Sequence, residues 1–188
     1  MSGVLDPGGF PGENLFFLRV YVHDREVRLV RVLFVCMGNI CRSPIAQGIF
    51  EEMVRREGLE GEILVDSAGV GSWHIGEPPD PRAQEAALRR GVDISGQRAR
   101  QISPEDCESF DYILTMDEEN YRAVSSLCPD GRVEVRPFLD FADVPQTEVP
   151  DPYYGGPEGF EHVARLLDEA AGGLLEEIRR KHLKSNVL

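Results

Sequence analysis

Several residue types that commonly anchor a function are scarce in this chain. Its 188 residues include four cysteines, four histidines and one tryptophan. Cys36, Cys41, Cys107 and Cys128 make no dense disulfide framework and no zinc-type Cys-x-x-Cys pair. A small disulfide-stapled scaffold is thereby excluded, and a reducing, cytoplasmic compartment is the expectation, with Cys107 and Cys128 as bystanders. His23, His74, His162 and His182 never fall at metal-ligand spacing, so no metal is expected, and no other cofactor is called for. Basic residues are outnumbered 33 to 20, giving a net charge of −13, which argues against nucleic acid and anionic membranes as partners. No apolar run approaches membrane-spanning length. Leu15–Val22 is apolar apart from Arg19, but it is short and lacks a basic lead, which gives a signal peptide little support.

What is present fits one domain with a sizeable core. Residues 1–13 are rich in Gly and Pro and are expected to be loose. Leu15–Val22 and Val27–Val35 are β-prone. The sequence leaves open whether residues 1–30 are an extension with a hairpin around His23–Glu26 or precede a natural start near Val30. Within 31–188, apolar runs at Val32–Cys36, Ile63–Asp66, Tyr112–Met116 and Val133–Arg136 read as strands. They alternate with helical patterns at Pro44–Glu57, Pro81–Arg90, Ser103–Ser109, Asp117–Leu127 and Phe160–His182. This order predicts an α/β three-layer sandwich, a four-stranded parallel sheet flanked by helices on both faces. Gly172 and Gly173 interrupt the last helix and are expected to weaken it by about 1 kcal/mol each.

The most informative stretch is 32–50, VLFVCMGNICRSPIAQGIF. An apolar strand ends at Cys36, a tight turn follows at Gly38-Asn39, and Ser43-Pro44 has the chemistry of a helix start. Such a loop turns the amides of Met37 to Arg42 (through Gly38, Asn39, Ile40 and Cys41) towards an oxyanion, and the helix end adds positive potential. Cys36 would lie on the floor, where that field favours the thiolate. Arg42 supplies a planar two-pronged clamp, and the Ser43 hydroxyl can donate to the sulfur. Nucleophile, cradle and clamp on one loop suit phosphoryl transfer to sulfur.

The run VCMGNICRSP resembles the phosphate loop of the low-molecular-weight protein tyrosine phosphatases. The resemblance extends to VDSAG at 65–69, WHIGEPPD at 73–80, ARQI at 99–102, FDYILTMDEEN at 110–120 and DPYYG at 151–155, and covers about residues 31–183. It implies hydrolysis of phosphotyrosine proteins and small aryl phosphates through a phosphocysteine at Cys36, with phosphate or other oxyanions able to occupy the site. On residues alone, Asp151-Pro152 is an ordinary turn start; the resemblance makes Asp151 the general acid and then the base. Aromatic neighbours are expected to desolvate that carboxyl. Asp140, Asp143 and Glu148 are weaker alternatives. Likewise Tyr153 and Tyr154 become one wall of the substrate cleft, with Trp73 opposite and Ile40 beside the ring. Asn39 and Ser67 resemble a loop-bracing pair, and Gln97 stands near where the family commonly places a histidine. Cys41 reads equally as a small hydrophobe beneath the loop or as a redox partner of Cys36.

Two related chemistries share this loop. Thiol-dependent arsenate reductases need a downstream cysteine pair, but here Met116 and Asp117 stand at the end of the third strand and no close cysteine pair comes after. Protein arginine phosphatases resemble the loop with Thr where Ile40 stands, and they are the runner-up.

Overall fold

A computed structural model describes residues 20–22 and 25–183. The hairpin expected near His23–Glu26 is present as β1 (Val20–Val22) paired antiparallel with β2 (Arg25–Val27). Its turn and the segment expected to be loose, 1–13, lie outside the described residues.

The main sheet is parallel throughout and holds β3 (Val30–Cys36), β4 (Ile63–Gly69), β5 (Tyr112–Thr115) and β6 (Glu134–Pro137) in the order β4-β3-β5-β6. Helices α1 (Arg42–Arg56), α2 (Pro81–Leu88), α3 (Pro104–Ser109), α4 (Glu118–Leu127) and α5 (Pro157–Ile178) cover it. A 3-10 turn, Phe138–Phe141, follows β6, and the chain after α5 winds into a π-helical turn over Arg179–Leu183.

Period-two alternation assigns the two faces. Val30, Val32 and Phe34 of β3 join the core under α1, α2 and α5. Leu33 and Val35 face the smaller cluster that includes Val124 of α4 and Cys107 of α3. A strand buried on both sides must be apolar almost throughout, which is why VRVLFVC reads as a continuous run. Phe34 packs between Phe50 and Phe138, with ring centroids 5.8 and 4.8 Å away.

Three local readings are corrected. The second strand does not stop at Asp66: Ser67, Ala68 and Gly69 pair with Phe34, Val35 and Cys36. Backbone pairing overrides the weak strand preference of this small-residue run. Cys107 and Cys128 are not bystanders but are disulfide-bonded. The sheet brings the end of α4 beside α3, a proximity that a sequence separation of 21 does not reveal. Finally, α5 begins at Pro157 rather than Phe160, with proline in its first turn.

The paired glycines of α5 differ in what surrounds them. A Cβ on Gly173 would lie 1.9 Å from the Phe141 carbonyl oxygen, whereas nothing lies within 4 Å of one on Gly172. Gly173 therefore allows α5 to approach the backbone of the 3-10 turn. In urea unfolding, Gly173→Ala should destabilise the protein by about 2 kcal/mol through overpacking. Gly172→Ala should stabilise it by about 0.5–1 kcal/mol through helix propensity. Shifts of the same sign would contradict this packing.

Candidate active site

The C-terminal end of β3 is where ligands bind in open parallel sheets, because the chain passes from β4 on one side of β3 to β5 on the other. Cys36 ends β3 and is 2% exposed. The loop that follows is shaped by its neighbours' backbone. The Cys36 and Met37 carbonyls accept the amides of Val70 and Gly71 at 2.9 and 2.8 Å, and the Ile40 carbonyl accepts that of Asp80 at 2.7 Å. In a trans peptide the N–H points opposite to the C=O. Each bond therefore turns the next amide, on Met37, Gly38 or Cys41, the other way. The Asn39 amide is aimed at the Cys36 Sγ, 3.3 Å away. A Cβ on Gly69 would come within 3.0 Å of the Met37 oxygen and the Gly38 carbonyl carbon, so β4 and the loop meet backbone to backbone.

Asn39 has φ of 56°, the left-handed region that asparagine tolerates. Its Nδ2 donates to the Ser43 Oγ at 2.9 Å and the Ser67 Oγ at 2.8 Å, and its Oδ1 accepts the Arg100 amide at 2.9 Å. The Ser43 hydroxyl is 3.1 Å from the Cys36 Sγ. Ser67 in turn donates to Gln47 Oε1 at 2.7 Å. Gln97 stays outside this network: its Nε2 donates to the Pro44 carbonyl at 3.2 Å, and its buried Oε1 has no protein partner among the described residues.

Arg42, 3% exposed, gathers three acceptors: Asp117 Oδ2 at 2.5 Å, the Val149 carbonyl at 3.1 Å and Asp151 Oδ2 at 3.2 Å. Burial opposes its charge, but Cys36, Asp151 and Asp117 outweigh that, so its pKa is raised. In the sequence Asp117 stands only as the first residue of the helical pattern 117–127, the place of a cap. It does cap, its Oδ1 accepting the Asn120 amide at 2.8 Å, while its other oxygen holds Arg42. Its position at the end of a central parallel strand was the available signal. Val149 and Gln47 had no comparable signal.

Cys36, Met37, Gly38, Ile40, Cys41, Arg42, Trp73, His74, Asp151, Tyr153 and Tyr154 line one pocket of about 380 Å³. Asn39, Ser43 and Ser67 lie behind the loop. Glu148 instead accepts the Glu118 amide, and Asp140 faces Arg136. His74, which sequence reasoning passed over, adds an imidazole whose Nδ1 is 2.7 Å from Glu77. The expected desolvation of Asp151 is not found. Its side chain is 46% exposed because Tyr154 and Trp73 project outward, 94% and 72% exposed. Cys41 is a free thiol like Cys36. Burial first, then the charges of Asp80, Cys36 and Asp151, push its pKa far up, with Arg82 opposing.

A tetrahedral oxyanion fits this arrangement, with amides and a guanidinium to bind it, a sulfur beneath and a carboxyl at the rim. Residues 31–184 match the family model described as low molecular weight phosphotyrosine protein phosphatase. The low molecular weight protein-tyrosine-phosphatase YfkJ of Bacillus subtilis is 43% identical over 155 residues, 81% of this chain and 98% of that protein. Its crystal structure superposes with a TM-score of 0.77 at 42% identity, covering 81% of this chain and 96% of YfkJ. Vibrio vulnificus Wzb in complex with benzylphosphonate is similar at 30% identity, with a TM-score of 0.70 and coverage of 79% and 99%. The YwlE arginine phosphatase is similar at 26% identity, with a TM-score of 0.74 and coverage of 82% and 99%. The chain belongs to the low molecular weight phosphotyrosine protein phosphatase family.

Proposed function

We propose that this protein hydrolyses phosphotyrosine in proteins, and small aryl phosphates, by way of a phosphocysteine at Cys36. The observation that carries this reading is that the Cys36 sulfur, the Arg42 guanidinium and the Asp151 carboxyl open onto one pocket. In the first step the Cys36 thiolate attacks phosphorus opposite the aryl oxygen. The S–P bond forms, the P–O bond breaks, and Asp151 gives its proton to the departing phenolate. Arg42 and the loop amides hold the equatorial oxygens. In the second step Asp151 takes a proton from water, which attacks phosphorus; the new O–P bond forms, the S–P bond breaks, inorganic phosphate leaves, and the Ser43 hydroxyl stabilises the returning thiolate. Asn39 and Ser67 brace the loop. Ile40, Trp73, Tyr153 and Tyr154 receive the ring, and inorganic phosphate competes for the cup.

The same fold serves a phosphoarginine phosphatase among the similar structures. Ile40 lines the pocket as an apolar wall and is 9% exposed, which favours an aryl ring over a guanidinium. We place the protein in the cytoplasm on its sparse cysteine. Among the described residues no helix is long and apolar enough to cross a membrane. The Cys107–Cys128 bond is unusual for that compartment, so thiol labelling in rapidly denatured cells tests the assignment. Residues 1–30 are read as an extension to the catalytic domain, in keeping with a family match that starts at 31.

Turnover on phosphotyrosine, phosphoarginine and phosphoserine peptides should favour phosphotyrosine and be unaffected by chelator; preference for phosphoarginine would install the second reading. Asp151→Ala should slow phenyl phosphate hydrolysis by about 10²–10⁴-fold while inorganic phosphate still binds, and unchanged turnover would reassign the acid. In a Cys36→Ser background, Cys41 should react with iodoacetamide at pH 7 about tenfold more slowly than in an unfolded peptide, because its proton is retained. Equal rates, read by mass spectrometry, would show Cys41 to be an ordinary thiol.

A further inference from the structure

Asp151 sits on loop 150–156, which has no regular structure. Among the described residues, two side chains from outside this loop hydrogen-bond to it. Arg42 Nη2 reaches Asp151 Oδ2 at 3.2 Å, and Arg82 Nη1 reaches the Gly155 carbonyl at 3.1 Å. In the proposed reaction Arg42 turns its fork to the phosphoryl oxygens, so its hold on Asp151 lapses during the step in which Asp151 gives up its proton. The Arg82 tie stays.

Arg82 is itself fixed. Its Nε and Nη2 grip the two Asp80 oxygens at 3.0 and 2.8 Å, and its guanidinium lies 4.6 Å from the Phe160 ring centroid and 5.8 Å from that of Tyr153. A planar fork that bonds two partners and stacks on rings cannot be replaced by a lysine without loss. Asp80 carries the connection onward, because its amide donates to the Ile40 carbonyl at 2.7 Å. One run of bonds thus joins the phosphate loop to the acid loop: Ile40 to Asp80, Asp80 to Arg82, Arg82 to Gly155. The simpler alternative is that Asp80 and Arg82 only start α2, where the Asp80 carboxylate also accepts the Arg82 amide at 2.8 Å. That role does not require a bond to Gly155.

We propose that Arg82 is a positioning residue for proton donation, fixing where Asp151 stands over the cup by tying Gly155 to Asp80. The inference rests on the reading of Asp151 as the acid. Arg82 touches no reacting atom, so its removal alters one step selectively. That step is the breaking of the P–O bond with transfer of the Asp151 proton to the aryl oxygen.

The test compares kcat/KM, which reports P–O cleavage, on p-nitrophenyl phosphate and phenyl phosphate. The nitrophenolate leaves with little help from a proton, and phenolate does not. Arg82→Met should raise the nitrophenyl-to-phenyl ratio roughly tenfold through misplacement of the acid, and Arg82→Lys should raise it less. Competitive inhibition by inorganic phosphate should stay within about twofold, since the cup is untouched. Asp151→Asn, measured alongside, should raise the ratio further. A ratio unchanged in Arg82→Met and Arg82→Lys while Asp151→Asn raises it would overturn this inference and leave the acid in place. An unchanged ratio in Asp151→Asn would overturn the acid reading and this inference with it. Should Arg82→Met not fold, an unchanged ratio in Arg82→Lys alone overturns it.

Discussion

The site depends on the left-handed turn at Asn39. That conformation costs a residue with a side chain roughly 1–2 kcal/mol. It is held by the Asn39 amide on the Cys36 sulfur and by side-chain bonds to Ser43, Ser67 and the Arg100 amide. Each buried neutral hydrogen bond contributes about 1 kcal/mol, so the set outweighs the strain. The turn brings the chain back over Cys36, delivers Ser43 to the sulfur and sets Arg42 at the first position of α1. Without it, the strand end and helix start would not close into a cup.

Charge is the second organising constraint. A buried guanidinium is costly unless paired, and Arg42 has two carboxylates and a carbonyl around it. The acceptors come from two parts of the chain: Asp117 from just beyond β5, and Val149 and Asp151 from the segment before α5. Arg42 therefore ties its own loop to two further segments as well as facing the pocket. In a chain of net charge −13 it brings a cation to the pocket, paired there with two carboxylates.

Much of this was legible in the sequence because local chemistry and fold agree there. The run from Val32 to Phe50 has strand, turn and helix signals in the order that parallel sheets use, and Cys36, Asn39, Arg42 and Ser43 fall together as that order requires. The unread parts are those set by tertiary contact. Ser67 to Gly69 became strand because Phe34 to Cys36 offered partners. Asp117 looked complete as a helix cap, since one carboxylate oxygen satisfies that role and the second has no local signature. The Cys107–Cys128 bond needed α3 and α4 side by side. Gln47 on Ser67, in place of any contact from Gln97, depended on which face of α1 turned towards β4. The exposure of Asp151 depended on rings that point outward, whereas composition suggested that they would enclose it.

The close approach of Gly69 to the Met37–Gly38 peptide has a consequence for how such a protein can diversify. The cup is bounded there by main chain on both sides, with no rotamer to adjust and no side-chain entropy to surrender when an anion enters. The main-chain part of the cup is thereby uncoupled from which side chains stand at Met37 and Ile40, while Arg42 lines the same pocket with its guanidinium. Drift at those positions can retune the shape of the accepted leaving group while the anion receptor itself is inherited intact.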